Sequence, residues 1–317
     1  MIMKATIFVN IILLVSVVSS EFDDCSRDYS DGGHFAISGV EEDIKAPWLA
    51  ALGIGEDNYD FFFLCSGTII TKKFLLSAAH CFIHPDTRYK PTHVRAGAND
   101  IDSRFIEQKE ILDVKKHPDY DDYIYYYDIA IIEIVGEFKF TSRIYPICLP
   151  DFSSRHPGND IGITVQGWGV SDEGKGKGKE VSQVTVIVRS KLECDENIEK
   201  FGKSSSPRSG NVEKWMPQLS TDVLFCADAS LNNKTGVCQG DSGGPAISRF
   251  EKSLLGYFVK LIQLFCRKYV DGRKIYFLIG IVTGNVNFCE GGLPDVYNFI
   301  GNEKVNAPFK FLFGGLT

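Results

Sequence analysis

Basic residues are not in excess in this sequence. The 317 residues include 34 Lys and Arg against 41 Asp and Glu, which gives a formal charge of −7, and there is no long basic run. Because proteins bind phosphate backbones mainly through Lys and Arg, we expect no nucleic-acid partner. The chain is 44% hydrophobic and 24% charged, which supplies a core and is not typical of disordered, collagenous or coiled-coil chains.

Long apolar runs are missing after the first twenty residues. Residues 1–20 carry one positive charge, Lys4, before the apolar run Ala5–Val18 and a small-residue end. This run is short for a membrane span and typical of a secretory signal, so we expect residues 1–20 to be a signal peptide. A signal anchor that stays attached is the alternative. We otherwise expect a secreted, extracellular protein with no membrane partner once the signal is cleaved.

Cysteine pairs of the CxxC type are also missing. Nine cysteines are spread along the chain, and in an oxidising compartment this spread indicates disulfides rather than a zinc site. Four bridges would leave one thiol over, and the spacing alone does not determine the connectivity. The nine are Cys25, Cys65, Cys81, Cys148, Cys194, Cys226, Cys238, Cys266 and Cys289.

Windows with a helical period are scarce, whereas short β-rich segments bounded by turn residues recur along the chain. Segments rich in Ile, Val, Phe and Tyr indicate strands, and many short strands without intervening helices favour an all-β barrel or sandwich. The seven segments are Phe61–Ile70, Ile106–Val114, Ile129–Val135, Ile163–Trp168, Val181–Val188, Ile275–Val282 and Val296–Ile300.

Ser242 lies in the clearest motif, CQGDSGGP at 238–245, whose glycines let backbone N–H groups approach a substrate closely. The motif also satisfies GxSxG, the nucleophile elbow of α/β-hydrolases. None of the six histidines follows Ser242, however, and an α/β-hydrolase needs its histidine after the nucleophile. The chain order therefore excludes that interpretation.

His80 and Asp128 are candidate partners for a serine nucleophile. A serine hydroxyl is a weak nucleophile until a base takes its proton, and that base needs an orienting acceptor on its other nitrogen. His80 lies in the small-residue segment LSAAHC, and Asp128 opens the apolar segment DIAII. Either residue alone is more often structural, so it is their occurrence together with Ser242, in that order, that indicates nucleophilic catalysis.

The segments LSAAHC, DIAII and GDSGGP together resemble those of the chymotrypsin-like (trypsin-family) serine proteases. The resemblance runs from about Ile37 to Ile300 and includes PW at 47–48, CSG at 65–67, PICLP at 146–150, GWG at 167–169 and PDVY at 294–297. It implies an all-β fold of two orthogonal six-stranded β-barrels with the active site in the cleft between them. Residues 37–317 would form this domain, and residues 21–36 would be a pro-segment.

The resemblance assigns roles to the candidate residues. Ser242 is the expected nucleophile, His80 the general base and then acid, and Asp128 the residue that orients His80. The N–H groups of Gly240 and Ser242 are expected to form the oxyanion hole. No cofactor is implied.

The resemblance also selects four disulfides. One of them uses Cys81, so a metal site formed by His80, Cys81 and His84 is not expected. Cys266 is left over in the insertion Phe250–Lys274, either as a buried thiol or as one that pairs with another chain. The implied bridges are Cys25–Cys148, Cys65–Cys81, Cys194–Cys226 and Cys238–Cys289.

The primary specificity pocket departs from the family's pattern. The residue six before the nucleophile often sets specificity, with aspartate there selecting Lys or Arg, and here it is Gly236. Asp295 instead replaces a residue that is commonly glycine on the adjoining wall. Because a buried carboxylate is costly unless paired, we expect Asp295 to admit Arg or Lys beside large apolar side chains. A bonded Asp295 in a chymotrypsin- or elastase-like pocket is the alternative.

The substrate-binding strand also departs from the family, since Thr283-Gly284-Asn285 stands in place of Ser-Trp-Gly. Losing the indole removes one wall of the cleft, which would weaken or alter substrate binding. Thr283 and Asn285 remain candidate substrate-binding residues. Upstream, Tyr123–Tyr127 either line the cleft or are ordinary packing.

Activation in this family frees an Ile or Val N-terminus that pairs with the aspartate before the serine. The corresponding residues are Ile37 and Asp241, but Ala36 precedes Ile37 and the nearest basic residue upstream is Arg27. Either a protease of other specificity cuts near Phe35–Ile37, or the chain stays a zymogen.

Asn233 opens an N-x-S/T sequon in a segment expected to be a surface loop, so it is a candidate glycosylation site. The sequence as a whole predicts a secreted serine endopeptidase that acts through an acyl-enzyme. Its expected partners are protein or peptide substrates, with protein protease inhibitors as a further class. The alternative is a non-catalytic protease homologue that binds a partner through the cleft where the family has its active site. A third hypothesis is an esterase on the same fold.

Overall fold

The computed structural model describes residues 25, 46–55, 61–103, 105–121, 126–150, 157–169, 180–196, 223–228, 240–250, 275–285, 295–301 and 305. Within these residues, twelve β-strands form two closed six-stranded barrels with antiparallel neighbours. Short 3₁₀ turns occupy Ala79–Phe82 and Thr87–Tyr89, and residues 191–196 are helical. The expected all-β fold of two six-stranded barrels is confirmed.

The first barrel closes in the strand order β1-β2-β3-β6-β5-β4. The strands β1, β3 and β6 are almost entirely buried, whereas β5 is largely exposed and carries charged side chains on its outer surface. The six strands are β1 (Leu49–Gly55), β2 (Phe61–Ile69), β3 (Phe74–Ser77), β4 (His93–Ala96), β5 (Glu107–Lys116) and β6 (Ala130–Ile134).

The second barrel closes in the order β10-β11-β12-β9-β8-β7. Its strand β12 shows how the two barrels share a core. Val296 and Ile300 pack in the cluster that contains the first-barrel core, whereas Tyr297 and Phe299 pack in the second barrel's own core, as a period of two requires. The six strands are β7 (Gly162–Gly167), β8 (Ser182–Val188), β9 (Leu224–Asp228), β10 (Pro245–Phe250), β11 (Ile275–Asn285) and β12 (Asp295–Phe299).

The barrels also meet through buried polar groups. The indole Nε1 of Trp48 donates to Oε1 of Gln166 on β7 at 2.9 Å. Ser66 on β2 donates its N–H to the carbonyl of Ser242 at 2.8 Å. These bonds join chain segments that are far apart in sequence, so they fix how one barrel lies against the other.

Disulfides join Cys25 to Cys148, Cys65 to Cys81 and Cys194 to Cys226. These are three of the four bridges that the resemblance implied. Cys238, Cys289 and Cys266 lie outside the described residues. In the described part of the chain, no helix is both long and apolar enough to cross a membrane.

Candidate active site

His80 is held by the 3₁₀ turn Ala79–Phe82, which follows β3 directly. The turn starts with buried small residues, and Cys81 within it is bridged to Cys65 on β2. The backbone on both sides of the imidazole is therefore anchored to the first barrel. The His80 side chain keeps 18% of its surface exposed, so one edge of the ring still faces outward.

Asp128 reaches His80 because β3 and β6 are paired strands. Ser77 lies opposite Ala130 in this ladder, so the residues just after β3 and just before β6 come together. The carboxylate of Asp128 is fully buried and accepts two hydrogen bonds from His80. One comes from the backbone N–H at 2.7 Å, and the other joins Nδ1 to Oδ2 at 2.6 Å. Two bonds to one carboxylate fix both the position and the tilt of the imidazole.

The carboxylate changes the acidity of the imidazole. Burial lowers the pKa of His80, but the charge of Asp128 and the hydrogen bond to it together raise it by more, so the pKa lies above the usual 6.5. With Nδ1 hydrogen-bonded to the carboxylate, the neutral ring carries its proton there, and Nε2 is left as the basic nitrogen. A base must be unprotonated, so any reaction that uses His80 as a base gains rate as pH rises through this raised pKa.

Ser242 lies in a turn that rests on the first barrel. Ser66 donates its N–H to the Ser242 carbonyl at 2.8 Å and its hydroxyl to the Gly240 carbonyl at 2.9 Å, while its own carbonyl accepts from the Ser77 hydroxyl at 2.7 Å. Sγ of Cys81 lies 4.0 Å from the same Ser242 carbonyl. The serine turn is thus adjacent to the segment that carries His80.

Gly243, next to Ser242, has a positive φ of 80°, and its N–H donates to the Val282 carbonyl at 2.8 Å. A Cβ at this position would meet the Ser66 carbonyl oxygen, and it would lie 2.9 Å from the Ala78 nitrogen. Both atoms belong to first-barrel backbone that cannot turn aside. Only glycine therefore permits the close approach of the serine turn to the first barrel.

The turn that bears Ser242 lies beside the segment that bears His80, through the contact of Cys81 with the Ser242 carbonyl. Among the described residues, no hydrogen bond joins the Ser242 hydroxyl to the His80 imidazole, and neither the Gly240 nor the Ser242 N–H is used in one. Hydrogen bonds between catalytic groups are often long in the absence of substrate and tighten in the complex. The two N–H groups are those that the family resemblance assigns to the oxyanion hole.

Asp241 is buried against the GWG motif of the second barrel. The Gly169 N–H donates to its Oδ1 at 2.9 Å, and a Cβ on either Gly167 or Gly169 would collide with the carboxylate. Ile37, the predicted partner of Asp241 after activation, lies outside the described residues.

Tyr127 precedes Asp128 and has a positive φ of 52°, which is rare for a bulky residue. Its ring stacks on the buried His117 with centroids 4.4 Å apart, and Tyr126 packs edge-on against it. These contacts favour the packing interpretation for Tyr126 and Tyr127. The other tyrosines of the run, Tyr123 and Tyr125, lie outside the described residues.

Asp295 pairs with Asn285 in the register of the β11–β12 ladder. Asp295 is 1% exposed and shares a face of β12 with Tyr297. Burial raises the pKa of Tyr297 well above its usual value, and the charge of Asp295 raises it further. The Thr283 side chain is buried, and its hydroxyl accepts from Nδ2 of Asn298 at 2.5 Å. Gly236 and the sequon residue Asn233 lie outside the described residues.

Two features of the site were not predicted from the sequence. The stack of His117 on Tyr127 depends on a contact that no local pattern encodes. Asn298 could have been suspected, because it is the one amide in the otherwise apolar and aromatic run Val296–Ile300. Its side chain reaches Thr283 and the Asp128 carbonyl.

Possible metal ligands near the site are limited. The ligand atoms of Cys65, His80 and Cys81 lie within 4.8 Å of one another, but the two sulfurs form a disulfide. A disulfide sulfur is not a thiolate, so only the imidazole remains as a ligand in this group.

Comparison with known proteins gives consistent matches. A family model described as Trypsin matches residues 37–302. The clotting factor G beta subunit of Tachypleus tridentatus is 30% identical over 210 residues, which is 65% of this chain and 63% of that protein. Serine protease Hayan of Drosophila melanogaster is 29% identical over 245 residues, 76% of this chain and 33% of Hayan. Venom serine protease Bi-VSP of Bombus ignitus is 30% identical over 289 residues, which is 87% of this chain and 66% of that protein.

The chain thus spans less than two thirds of the length of the clotting factor and of Hayan. The family match nevertheless covers most of the chain, and the two closed barrels are the fold expected of that family. This chain belongs to the trypsin family of serine proteases.

Proposed function

We propose that this protein is a secreted serine endopeptidase that cleaves peptide bonds through Ser242, His80 and Asp128. The observation that carries the proposal is the double hydrogen bond from His80 to the buried Asp128 carboxylate, beside the turn that bears Ser242. This is the arrangement that a serine needs in order to become a nucleophile.

The proposed reaction follows from these positions. His80 Nε2 takes the proton from the Ser242 hydroxyl as its oxygen bonds to the substrate carbonyl carbon. The resulting oxyanion accepts from the N–H groups of Gly240 and Ser242, each worth roughly 3 kcal/mol of transition-state stabilisation. His80 then passes the proton to the leaving amine, which leaves an acyl-enzyme. A water, deprotonated by His80, hydrolyses the ester and restores Ser242.

Covalent labelling with a fluorophosphonate tests the proposal, with N-terminal sequencing of the secreted chain to identify its processed form. We expect the processed wild-type protein to be labelled and Ser242→Ala to remain unlabelled, because the probe bonds to an activated serine oxygen. Absence of labelling in every processed form would support the alternative, a non-catalytic homologue that binds a partner through its cleft. Labelling with hydrolysis of esters but not of peptide amides would support an esterase.

Secretion and activation are part of the proposal. The expected signal peptide at residues 1–20 supports export, as do the names of the relatives, which include clotting-factor and venom proteases. We propose cleavage near Phe35–Ile37, after which the new N-terminus would pair with Asp241. A mature chain sequenced by its N-terminus should then begin near Ile37. Glycosylation at Asn233 and protein inhibitors as partners are further expectations.

Asp295 is proposed to determine which substrates enter the primary pocket. Its carboxylate is buried on β12 opposite Asn285, where a cationic substrate side chain would pair with it. We expect the wild type to cleave after Arg or Lys as well as after large apolar residues. Asp295→Asn should lower kcat/KM for Arg or Lys substrates by at least about 10-fold, the value of one such charge pair, and leave Phe substrates little changed.

The measurement uses peptides that differ only at the residue before the scissile bond. If wild type shows no activity on the Arg and Lys peptides while it cleaves the Phe peptide, the pocket is of the chymotrypsin or elastase type and Asp295 serves another purpose.

A further inference from the structure

Asn298 is a buried amide on β12 that no step of the proposed reaction uses. Its side chain is fully buried, on the face of β12 that also carries Val296 and, just after the strand, Ile300. Both of these neighbours pack in the cluster that contains the first-barrel core. A buried amide loses its hydration and is tolerated only where hydrogen bonds replace it.

The Asn298 amide donates two hydrogen bonds. Nδ2 lies 3.3 Å from the backbone carbonyl of Asp128 and 2.5 Å from Oγ1 of Thr283 on β11. The first bond crosses from the second barrel to the residue whose carboxylate holds His80. The second ties the same amide to the neighbouring strand, so the amide cannot rotate freely.

The oxygen of the same amide differs from the nitrogen. Among the described residues, Oδ1 of Asn298 is buried without a hydrogen bond. An unsatisfied buried acceptor costs about 1–3 kcal/mol, so an apolar side chain of similar size would suit the packing at least as well. The donors of the amide, rather than its fit in the core, therefore explain its presence.

The segment around Asp128 is held from the first barrel as well. The Tyr127 ring stacks on His117, and the His117 N–H donates to the Ile129 carbonyl at 2.9 Å. These contacts flank Asp128 but do not touch its carbonyl. Asn298 supplies the restraint that comes from the other barrel.

We propose that Asn298 is a positioning residue, which holds the backbone of Asp128 from the second barrel and so keeps the carboxylate aligned with His80. Its role in catalysis rests on the proposed function, whereas its role in placing Asp128 rests on the contacts alone. The two can therefore be tested separately.

The placement is tested by NMR titration of His80 in a Ser242→Ala background, which requires no activity. Adding Asn298→Leu removes both donors at similar volume. We expect the pKa of His80 to fall, because a displaced carboxylate raises it less while burial still lowers it. Gln166→Leu, which removes the buried hydrogen bond from Trp48 between the barrels, is the matched control and should leave this titration unchanged.

The catalytic consequence is measured with Ser242 intact. Asn298→Leu should lower kcat by about 10- to 100-fold, the cost of a small misplacement of a catalytic group, with a smaller change in KM. If Asn298→Leu does not fold, Asn298→Ala serves in both measurements. An unshifted His80 titration in the folded variants would overturn the proposal. A shifted titration in a protein that fluorophosphonates never label would leave the placement intact and overturn the proposed function.

Discussion

Asp128→Asn is expected to lower kcat for a peptide substrate by about 10⁴-fold, the loss that this substitution causes in chymotrypsin-like enzymes. An amide at this position can donate to Nδ1 of His80, where the carboxylate could only accept. The imidazole would then carry its proton on Nε2, the nitrogen that has to take the proton of Ser242. The geometry is kept, but the base is in the wrong tautomer.

The same substitution should also change the pH profile. The charge of Asp128 and its hydrogen bond raise the pKa of His80, while burial lowers it. Asp128→Asn removes the contributions that raise the pKa and leaves burial, so the acidic limb of residual kcat/KM should move to lower pH. The measurement is a pH–rate profile of both proteins on one substrate.

Asp113→Asn is the matched control, because it makes the same chemical change on the exposed strand β5. The Asp113 carboxylate is 51% exposed, and Nζ of Lys115 lies 3.9 Å from its Oδ2. We expect kcat and the pH profile to match the wild type, since exposed ion pairs are weak. A kcat for Asp128→Asn within tenfold of this control would mean that Asp128 does not orient the base.

Gly243→Ala is expected to lower kcat/KM by at least about 100-fold, because the serine turn would be pushed off the first barrel. The positive φ of 80° costs an alanine about 1–2 kcal/mol. In addition, the new Cβ would meet the carbonyl of Ser66 and lie 2.9 Å from the nitrogen of Ala78. Neither atom can rotate away, so the turn and its N–H groups must shift.

Gly136→Ala separates these two effects. Gly136 has a similar φ of 74°, but a Cβ there would have nothing within 4 Å. We expect this variant to lose stability by the cost of backbone strain alone. Its melting temperature should fall, while kcat/KM and fluorophosphonate labelling stay normal. Equal losses of activity in both variants would show that close approach to the first barrel is not what Gly243 permits.

Most of the strands that the sequence predicted are rich in β-branched or aromatic residues. Each of the seven predicted segments overlaps one strand of the structure, although several strand ends differ from the predicted bounds by one to three residues. Five strands were missed for physical reasons. The strands β3 and β4 have four residues each, β1 is rich in Ala and Gly, and β9 (LFCAD) has no β-branched residue. The strand β10 begins with Pro245, which is the last residue of the serine motif. These strands form because their neighbours in a closed barrel pair with them. A short stretch of sequence carries no information about that pairing.

The candidate site was predictable to the extent that its chemistry lies in short motifs. His80 and Asp128 each stand beside a recognisable apolar segment, and the pairing of β3 with β6 brings them together. The role of Asn298 was not predicted, because it depends on hydrogen bonds to Asp128 and Thr283 that only the folded chain forms. The stack of Tyr127 on His117 could not be predicted either, because it depends on tertiary contacts.

The hydrogen bonds of Ser66 affect which halves of two such proteases can be joined in a chimera. Its N–H and hydroxyl donate to the carbonyls of Ser242 and Gly240 in the turn that bears Ser242, yet Ser66 belongs to a strand of the other barrel. The shape of that turn therefore depends partly on residues in the N-terminal half of the chain. A chimera that joins this C-terminal half to a foreign N-terminal half would keep Ser242 but lose the strand that holds its turn in shape.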